Sequence, residues 1–382
     1  MTEFDFGPLR QGLSRSLEAV GAFREPWLRT VFDKVPRHLF VPDTVYTWSG
    51  ERWCPLRRDD DPEQWGRLIY DPDGAGVVTQ VNEGKTDEDG CGLVPTSSLS
   101  SVGAVLEMLH SLDPRPGEPV LEIGTGTGYN AALLCERVGQ DHVVTIEVDE
   151  GVALAARRRL RHCGYSPHVV VANGENGFAP RRPYPRVMST ASVRQIPAAW
   201  LEQMEADGEL VTPWLPNHRG VGLLWLRKKD RNTLKGWVHG TNTFMPVRGQ
   251  RIERPDLTGL WNETHTKAVQ LDRVISMDDV DHHGGFVLAA TLPGISSFRQ
   301  DDGWFLVTLD RSQWCRVSCD SSVVEYGEGD LASRLESALK WWRERDRPKY
   351  HDFGVTVGRK SASETSLTVW YDDGDETPVP QF

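Results

Sequence analysis

Apolar positions in the first forty residues recur at the three- and four-residue spacing of amphipathic helices. The first such run consists of Leu9, Leu13, Leu17 and Val20. Because residues at this spacing share one face of a helix, the pattern predicts helices that pack through that face. Residues 43–95 instead contain clusters of Asp, Pro and Gly, which are typical of turns. We therefore expect N-terminal helices followed by a long substrate-side loop within 1–95.

From residue 97 onward, short apolar runs alternate with amphipathic stretches. The strand-like runs are Val120–Ile123, Val143–Ile146, Val169–Val171, Val187–Ser189 and Leu210–Thr212. Helical patterns separate most of these runs, and two further runs at 221–226 and 234–238 predict a hairpin. Alternating β and α units imply a mostly parallel sheet with both faces covered. This region, 96–250, is expected to be a Rossmann-like core.

The remainder of the chain, 251–382, changes character. Its strand-like runs are Phe286–Ala290, Trp304–Leu309, Val323–Tyr326, Phe353–Val357 and Leu367–Tyr371. One amphipathic helix is predicted near 330–345. The fold class is therefore predicted as α/β, a Rossmann-like sheet over 96–250 with an added C-terminal α+β domain over 251–382.

Composition and charge narrow the functional classes. The chain has 382 residues, too many for one ordinary domain, and its 43 basic against 55 acidic residues give a net charge of −12. This acidity disfavours a dedicated nucleic-acid binder if the charge is evenly placed. The charge is uneven, because residues 51–150 carry 7 basic against 20 acidic side chains and residues 151–250 carry 15 against 6, so the total charge excludes less than its size suggests. No apolar run reaches the roughly 18 residues of a membrane span, and the N-terminus lacks the pattern of a signal peptide. The six scattered cysteines form no CxxC pair, so we expect reduced thiols, no metal site and a cytoplasmic location.

A glycine-rich motif follows the first predicted strand and opens the next helix, where ligands bind in open α/β sheets. Its spacing is GxGxG, unlike the GxGxxG of dinucleotide folds, and it lacks the GK[ST] of phosphate loops. Glu122, inside the strand, would repel a pyrophosphate and attract an ammonium group. A nicotinamide oxidoreductase is therefore disfavoured. The candidate cofactor residues here are Glu122, Gly124, Thr125, Gly126, Thr127, Gly128 and Asn130.

Two further strand ends complete a ligand pattern. Glu147 ends the second strand, where a carboxylate can accept both hydroxyls of a ribose. Asn173 and Gly174 follow the third strand, where a carboxamide could bond to an adenine edge. The groups at these three consecutive strand ends suit the parts of a ligand that consists of an adenosine joined to an amino acid. The predicted cofactor is S-adenosyl-L-methionine, with S-adenosyl-L-homocysteine as product.

At this point the chain resembles the protein-L-isoaspartate O-methyltransferase family. The resemblance rests on Val35–Pro42, on Glu122–Asn130 with the following Ala131–Leu133, and on Phe244–Val247, and it covers about 1–250. Residues 43–95 are longer than the usual connector of that family. The implied fold is that of a S-adenosylmethionine-dependent methyltransferase, and the implied activity is protein carboxyl O-methylation.

In that family a Thr-x-Ser segment precedes the cofactor domain, and its serine faces the methyl acceptor. Thr96, Ser97 and Ser98 match this segment, so the resemblance gives Ser98 that role. Two departures concern the substrate: Leu99-Ser100 stands where the family commonly has Gln-Pro, and Asn173-Gly174 where it has Gly-Asp-Gly. Both leave the expected cofactor unchanged.

The C-terminal extension and the segment Ser189–Arg194, followed by Ile196, Pro197 and Trp200, resemble an enlarged branch of the family. Members of that branch act in the biosynthesis of ribosomally made modified peptides such as graspetides and lanthipeptides. The resemblance implies methylation of an aspartate in a cyclised ribosomal precursor peptide, with collapse of the ester to an aspartimide. The alternatives are general isoaspartyl repair and a non-catalytic peptide-binding protein that keeps the fold. Neither nucleic acid nor membrane is expected as a partner.

The chemistry of a carboxylate acceptor suits these residues. A carboxyl group with a pKa near 3.9 is ionised roughly a thousandfold over at pH 7, so methylation needs no general base. A hydroxyl acceptor would need one, and no His, Asp or Glu stands beside Ser98 in the sequence. We therefore expect catalysis by positioning, with the acceptor oxygen in line with the methyl group.

Overall fold

The structure, a computed structural model, describes residues 4–217, 222–252, 267–270, 282–300, 303–318, 322–326, 329–372 and 374–382. It divides into two compact units. The first comprises Met1–Ala191, Ala199–Thr212 and Arg227–Arg231, and the second comprises Ser192–Ala198, Pro213–Leu226 and Asn232–Phe382. The functional division into 1–95, 96–250 and 251–382 stays a prediction.

The first unit begins with the two expected helices, α1 (Gly7–Ala19) and α2 (Pro26–Lys34). Pro26 occupies the first turn of α2, where the missing N–H costs nothing because the first helical donors have no partner within the helix. The two helices bury apolar side chains spaced three and four residues apart. These are Leu13 and Leu17 in α1, and Leu28, Val31 and Phe32 in α2.

The stretch 43–95, expected to be a loop, instead contains regular structure. It forms β1 (Thr44–Trp48), β2 (Trp53–Arg57), α3 (Pro62–Ile69) and β3 (Val77–Val81), and β4 (Pro95–Leu99) follows. The four strands make one antiparallel sheet in the order β2-β1-β3-β4. Each strand has only five residues and turn residues surround it, so the alternating pattern is too short to stand out in the sequence.

Cys54 and Cys91 are joined by a disulfide, so the expectation of reduced thiols was wrong for this pair. The pairing leaves no sign in the sequence because the two cysteines lie 37 positions apart, and only the sheet brings them together. Beside the disulfide, Trp53 and Gly92 form an isolated antiparallel bridge. The chain just before β4 is therefore fastened to β2.

The parallel sheet of the first unit has the predicted alternation. Its elements are α4 (Val102–Leu112), β5 (Val120–Ile123), α5 (Tyr129–Val138), β6 (Val143–Glu147), α6 (Glu150–His162), β7 (His168–Val171), β8 (Tyr184–Ser189), α7 (Ala198–Gln203) and β9 (Met204–Trp214). The strand order is β9-β8-β5-β6-β7, with β5 paired in parallel to both β6 and β8. The order reverses at β5, which makes its carboxyl end the place where a ligand is expected. The predicted α/β class is confirmed.

The second unit is richer in antiparallel strands. Its elements are β10 (Gly222–Lys228), β11 (Thr233–Gly240), β12 (Lys267–Gln270), α8 (His282–Thr291), β13 (Ile295–Gln300), β14 (Gly303–Thr308), β15 (Trp314–Ser318), β16 (Ser322–Tyr326), α9 (Leu331–Glu344), β17 (Phe353–Arg359), β18 (Thr365–Tyr371) and β19 (Thr377–Pro378). One sheet has the order β12-β16-β15-β14-β13, and β11 pairs with β17, β17 with β18 and β18 with β19. The buried face of α9 joins one core cluster with residues of β14 and β15.

One prediction in this unit was wrong: Phe286–Ala290 lies inside α8 and not in a strand. A short run of consecutive apolar residues carries no period that separates a buried strand from a buried helix. Among the helices that the structure describes, none combines the length and the apolar character needed to span a bilayer.

Candidate active site

The glycine loop leaves the end of β5 and is held against β6 by its own backbone. The N–H groups of Gly124 and Thr125 both donate to the Ile146 carbonyl, at 2.9 and 3.0 Å. Gly124 has φ +94°, and a Cβ there would lie 2.9 Å from Thr190 Oγ1. Gly126 has φ +52°, and a Cβ there would lie 3.4 Å from the Ser98 carbonyl oxygen. The loop therefore needs glycine for its conformation and for the close approach of neighbouring segments.

Thr190 is a site residue that the sequence analysis missed as a candidate. Its hydroxyl donates to the carbonyl of Gly124 at 2.7 Å, which fixes the first peptide of the loop. Thr190 directly follows β8, the strand beside β5. A search of every strand end, including the fourth in the chain, would have found it.

Glu122 lies fully buried beneath the loop. Asn130, in the first turn of α5, donates its amide to Glu122 Oε1 at 2.7 Å. Among the described residues, Glu122 Oε2 and Asn130 Oδ1 have no hydrogen-bond partner. Burial raises the pKa of Glu122 to about 7, although the bonds that the carboxylate accepts offset part of that rise. A buried carboxylate with one open oxygen suits a cationic group more than a phosphate.

The two threonines of the loop point into the protein. Thr125 Oγ1 lies 2.7 Å from Thr145 Oγ1, and both side chains are buried. Thr127 is also buried. Any contact of Thr125 and Thr127 with a ligand would therefore come from their backbone, and their cofactor role stays a prediction.

Glu147 ends β6 and fastens three backbone groups. Its Oε2 accepts the N–H of Gly126 at 2.9 Å, while Oε1 accepts those of Val148 at 2.9 Å and Asp149 at 3.1 Å. Burial raises the pKa of Glu147, and these hydrogen bonds act in the opposite direction. A carboxylate has about four lone-pair positions, so one remains for a ligand hydroxyl. The predicted contact with a ribose remains a prediction.

Asn173 and Gly174 stand at the end of β7. Asn173 Oδ1 accepts the Glu175 N–H at 3.0 Å, so the carboxamide caps its own turn. A Cβ on Gly174 would lie 2.6 Å from Ile123 Cγ2, and the Gly174 carbonyl accepts the Trp200 indole N–H at 2.8 Å. Gly174 thus packs against the end of β5, while the adenine contact of Asn173 is still a prediction.

The proposed acceptor segment lies in β4. Thr96 donates its hydroxyl to Gln80 Oε1 at 2.8 Å, and the buried Ser97 accepts a bond from Thr79 at 3.3 Å. Ser98 is half-buried, and its hydroxyl has no hydrogen-bond partner in the part of the chain that the structure describes. Of the three, Ser98 has the hydroxyl most available to a substrate.

Gln80 links this segment to the cofactor side, and the sequence analysis missed it too. Besides accepting the bond from Thr96, its amide Nε2 lies 3.4 Å from Asp149 Oδ2. Asp149 caps α6 and donates its N–H to Glu147. No motif marks Gln80, because only the pairing of β3 with β4 brings it into the site.

These residues fit the predicted cofactor. The segment Val120–Asn130 contains no Lys or Arg that would bind a phosphate, whereas the buried Glu122 offers negative charge to an ammonium or sulfonium group. At Gly126 the backbone comes close to the Ser98 carbonyl, so the predicted cofactor and acceptor segments meet. The arrangement can place a cationic donor beside an anionic acceptor.

Comparisons with known proteins identify relatives of this chain. The family model for protein-L-isoaspartate(D-aspartate) O-methyltransferase matches residues 90–251. A protein-L-isoaspartate O-methyltransferase of Methanopyrus kandleri is 31% identical over 253 residues, which are 64% of this chain and 93% of the relative. Protein-L-isoaspartate O-methyltransferase 1 of Archaeoglobus fulgidus is 34% identical over 224 residues, which are 58% of this chain and 85% of the relative.

A solved structure of a protein-L-isoaspartate O-methyltransferase is similar over almost the whole chain. The superposition has a TM-score of 0.52 at 20% identity and covers 94% of this chain and 99% of the other. At this identity the likeness shows the fold alone. The matched region nevertheless extends well beyond the methyltransferase core into 251–382.

Proposed function

The chain belongs to the protein-L-isoaspartate O-methyltransferase family, and from that premise we propose that it methylates an aspartate side chain in a modified precursor peptide. It is a protein carboxyl O-methyltransferase, and the family uses S-adenosylmethionine. The proposal concerns the substrate, a cyclised ribosomal precursor whose methyl ester then collapses to an aspartimide.

One observation carries the proposal of a carboxylate acceptor. The Ser98 hydroxyl is half-buried, has no partner among the described residues, and belongs to the residue whose carbonyl adjoins Gly126. A hydroxyl in that place can donate a hydrogen bond to a carboxylate and orient it toward the glycine loop. A carboxylate is already ionised at neutral pH, so orientation and exclusion of water are sufficient.

On the cofactor side, each residue would have a separate task. S-adenosylmethionine supplies an electrophilic methyl group on a sulfonium. Glu122 would balance the positive charge from below the loop, and Glu147 would accept a ribose hydroxyl while holding Gly126. Gly124, Gly126 and Gly128 would let the backbone approach, and Asn173 and Gly174 would border the adenine.

After methylation, the second step uses the substrate's own atoms. The backbone nitrogen that follows the aspartate attacks the ester carbonyl, the new C–N bond forms, and the C–OCH₃ bond breaks. The proton from that nitrogen leaves with the methoxide as methanol. Because methanol leaves more readily than water, no residue of the chain is assigned to this step.

General isoaspartyl repair is a second candidate, and one observation favours it. The solved protein-L-isoaspartate O-methyltransferase matches 94% of this chain, so a fold that includes the C-terminal region is not restricted to peptide-tailoring enzymes. The case for a precursor peptide therefore depends on the sequence resemblances at Ser189–Arg194 and on the departures at Leu99-Ser100 and Asn173-Gly174.

Mass spectrometry with two peptides tests the proposal. The full chain and S-adenosylmethionine are incubated with a side-chain-cyclised aspartyl peptide and, separately, with a linear isoaspartyl peptide. We expect the cyclised peptide to gain about 14 Da and then to lie about 18 Da below its starting mass, as methylation and loss of water require. Methylation of the isoaspartyl peptide alone would favour repair.

A further inference from the structure

Several large apolar side chains are exposed at the end of β1, the start of β2 and the residues just before β4. Trp48 is 53% exposed, Leu93 67% and Val94 46%, and Trp53 is half-buried beside them. The rings of Trp48 and Trp53 have centroids 5.6 Å apart. Trp53 exchanges both backbone hydrogen bonds with Gly92, at 2.8 and 2.9 Å, and Leu93 is the next residue along the chain from Gly92. We refer to Trp48, Trp53, Leu93 and Val94 as the apolar patch.

The backbone under the apolar patch is firmly held. Asn82 Oδ1 accepts the N–H groups of both Leu93, at 3.2 Å, and Val94, at 2.9 Å. The Cys54–Cys91 disulfide crosses beside the Trp53–Gly92 bridge. Fixed exposed aromatic and aliphatic side chains are typical of recognition surfaces, because little conformational entropy is lost when a partner binds.

The apolar patch continues directly into the acceptor segment. Val94 is the residue before β4, and Ser98 follows it by four residues. At about 3.3 Å per residue, four extended residues span roughly 13 Å. A peptide lying extended along this strand, with its carboxylate at Ser98, would therefore set a residue about four positions away over the apolar patch.

Charge around the apolar patch indicates what else the partner carries. The exposed segment 83–89 contains Glu83, Asp87, Glu88 and Asp89 against Lys85 alone. Arg52 forms ion pairs with Asp87 and Asp89, at 2.6 and 2.8 Å. With Glu51, which is exposed beside Arg52, five acidic and two basic side chains leave a net charge of −3 at this rim. A basic residue in the bound peptide complements that charge.

We propose that the apolar patch docks the substrate peptide, by an apolar or aromatic residue next to a Lys or Arg, about four positions from the methylated carboxylate. This inference rests on the proposed function, because it assumes that the peptide's carboxylate sits at Ser98. It assigns a role in substrate selection to the inserted stretch 43–95.

Peptide binding tests this inference without needing turnover. Twelve-residue peptides, cyclised through side chains as in the methylation assay, carry a Leu-Lys pair, or a Ser-Ser pair, four positions before or after the aspartate, so both strand directions are covered. Calorimetry is performed on the full chain with S-adenosylhomocysteine present. We expect one Leu-Lys peptide to bind about tenfold more tightly than its Ser-Ser counterpart, and Leu93→Ser to abolish that difference.

Two further variants test whether the loss is specific to the apolar patch. Trp48→Ser should give the same loss as Leu93→Ser, while Val20→Ser, at a more exposed apolar residue directly after α1, should give none. Thermal melts establish that all three fold. Equal affinity of the unmodified protein for every peptide, or an unchanged preference in both patch variants, overturns the docking role.

Methylation of the same peptides is measured separately. Patch-dependent binding without any methyl transfer contradicts the proposed function and leaves the docking role standing. Methyl transfer that is indifferent to Leu93→Ser and Trp48→Ser contradicts the docking role alone.

Discussion

The Glu147 carboxylate accepts the backbone N–H of Gly126 at 2.9 Å, and so ties the end of β6 to the centre of the glycine loop. The same side chain accepts the N–H groups of Val148 and Asp149. Glu147 therefore shapes the loop before any ligand arrives, and a ribose contact would be an additional task. In this site the parallel sheet supplies preorganisation, because its side chains at the strand ends fix the loops that follow.

Glu147→Ala should weaken binding of S-adenosylhomocysteine about tenfold to a hundredfold. The N–H of Gly126 in the glycine loop would lose its acceptor, and such a loss costs about 1–3 kcal/mol where water cannot replace it. Isothermal calorimetry measures the effect. Glu150→Gln, at an exposed acid in the first turn of α6, is the matched control and should bind normally. Unchanged affinity in Glu147→Ala would show that the loop does not depend on this carboxylate.

Glu122 should make stability depend on pH. Burial raises its pKa from an ordinary value of 4.5 to about 7, so between these pH values the native state keeps a proton that the unfolded state releases. The free energy of unfolding should therefore fall as pH rises through this window. The decrease in the free energy of unfolding is absent below pH 4.5 and complete above pH 7, where it reaches about 3 kcal/mol.

Glu122→Gln removes that titration and keeps the acceptor for Asn130. The free energy of unfolding of the variant minus that of the unmodified protein should therefore be larger at pH 8 than at pH 5. Urea titrations at the two pH values would measure this difference. Its affinity for S-adenosylmethionine should fall, because the charge under the loop is gone. Parallel pH profiles for the two proteins would mean that Glu122 does not titrate in this range.

Much of the parallel sheet could be predicted from sequence because its signals are local. The run Val120–Ile123, the glycine spacing after it and the acid at Glu147 each lie within a few residues of the structure they determine. Thr190 also lies at a strand end, but its contact with Gly124 could not be predicted, and neither could the contact of Gln80 with Thr96. Both contacts depend on which strands lie side by side, and strand order is a property of the whole fold.

The strands in the stretch 43–95 could not be predicted either, because packing and pairing determine them. Its five-residue strands are stabilised by pairing with one another and by the Cys54–Cys91 disulfide, and neither leaves a periodic pattern in the sequence. Likewise, Phe286–Ala290 is helical because neighbouring residues extend it into a ten-residue element. Non-local contacts decide the first case, whereas the residues on either side of a short apolar run decide the second.

Gly126→Val should abolish cofactor binding. The residue has φ +52°, which a β-branched side chain strongly disfavours, and its Cβ would lie 3.4 Å from the Ser98 carbonyl oxygen. Calorimetry with S-adenosylhomocysteine should detect no heat of binding. Gly12→Ala, in α1, is the control, since a Cβ at that position would have no atom within 4 Å, and it should bind as the unmodified protein does. Binding by Gly126→Val would place the cofactor away from this loop.

Ser98→Ala should lower kcat about tenfold to a hundredfold while leaving cofactor affinity nearly intact. The hydroxyl is expected to orient the acceptor carboxylate, and a hydrogen bond to a charged group contributes about 1.5–3 kcal/mol. Steady-state methylation and calorimetry together separate the two effects. Ser100→Ala is the control, because Ser100 contributes its backbone carbonyl to Arg37 and that group is retained. A large loss of cofactor affinity in Ser98→Ala would show that Ser98 serves the cofactor instead.

Cys54→Ser should destabilise the chain by about 2–4 kcal/mol, because the disulfide closes a 37-residue separation and restricts the unfolded state. Thermal unfolding should show a lower midpoint for this variant, and reductant should lower the midpoint of the unmodified protein but not that of Cys54→Ser. The control is Cys163→Ser, at a cysteine that forms no disulfide and is only partly buried. This control should retain the sensitivity to reductant. If reductant shifts neither the unmodified protein nor the control, the Cys54–Cys91 link does not contribute to stability.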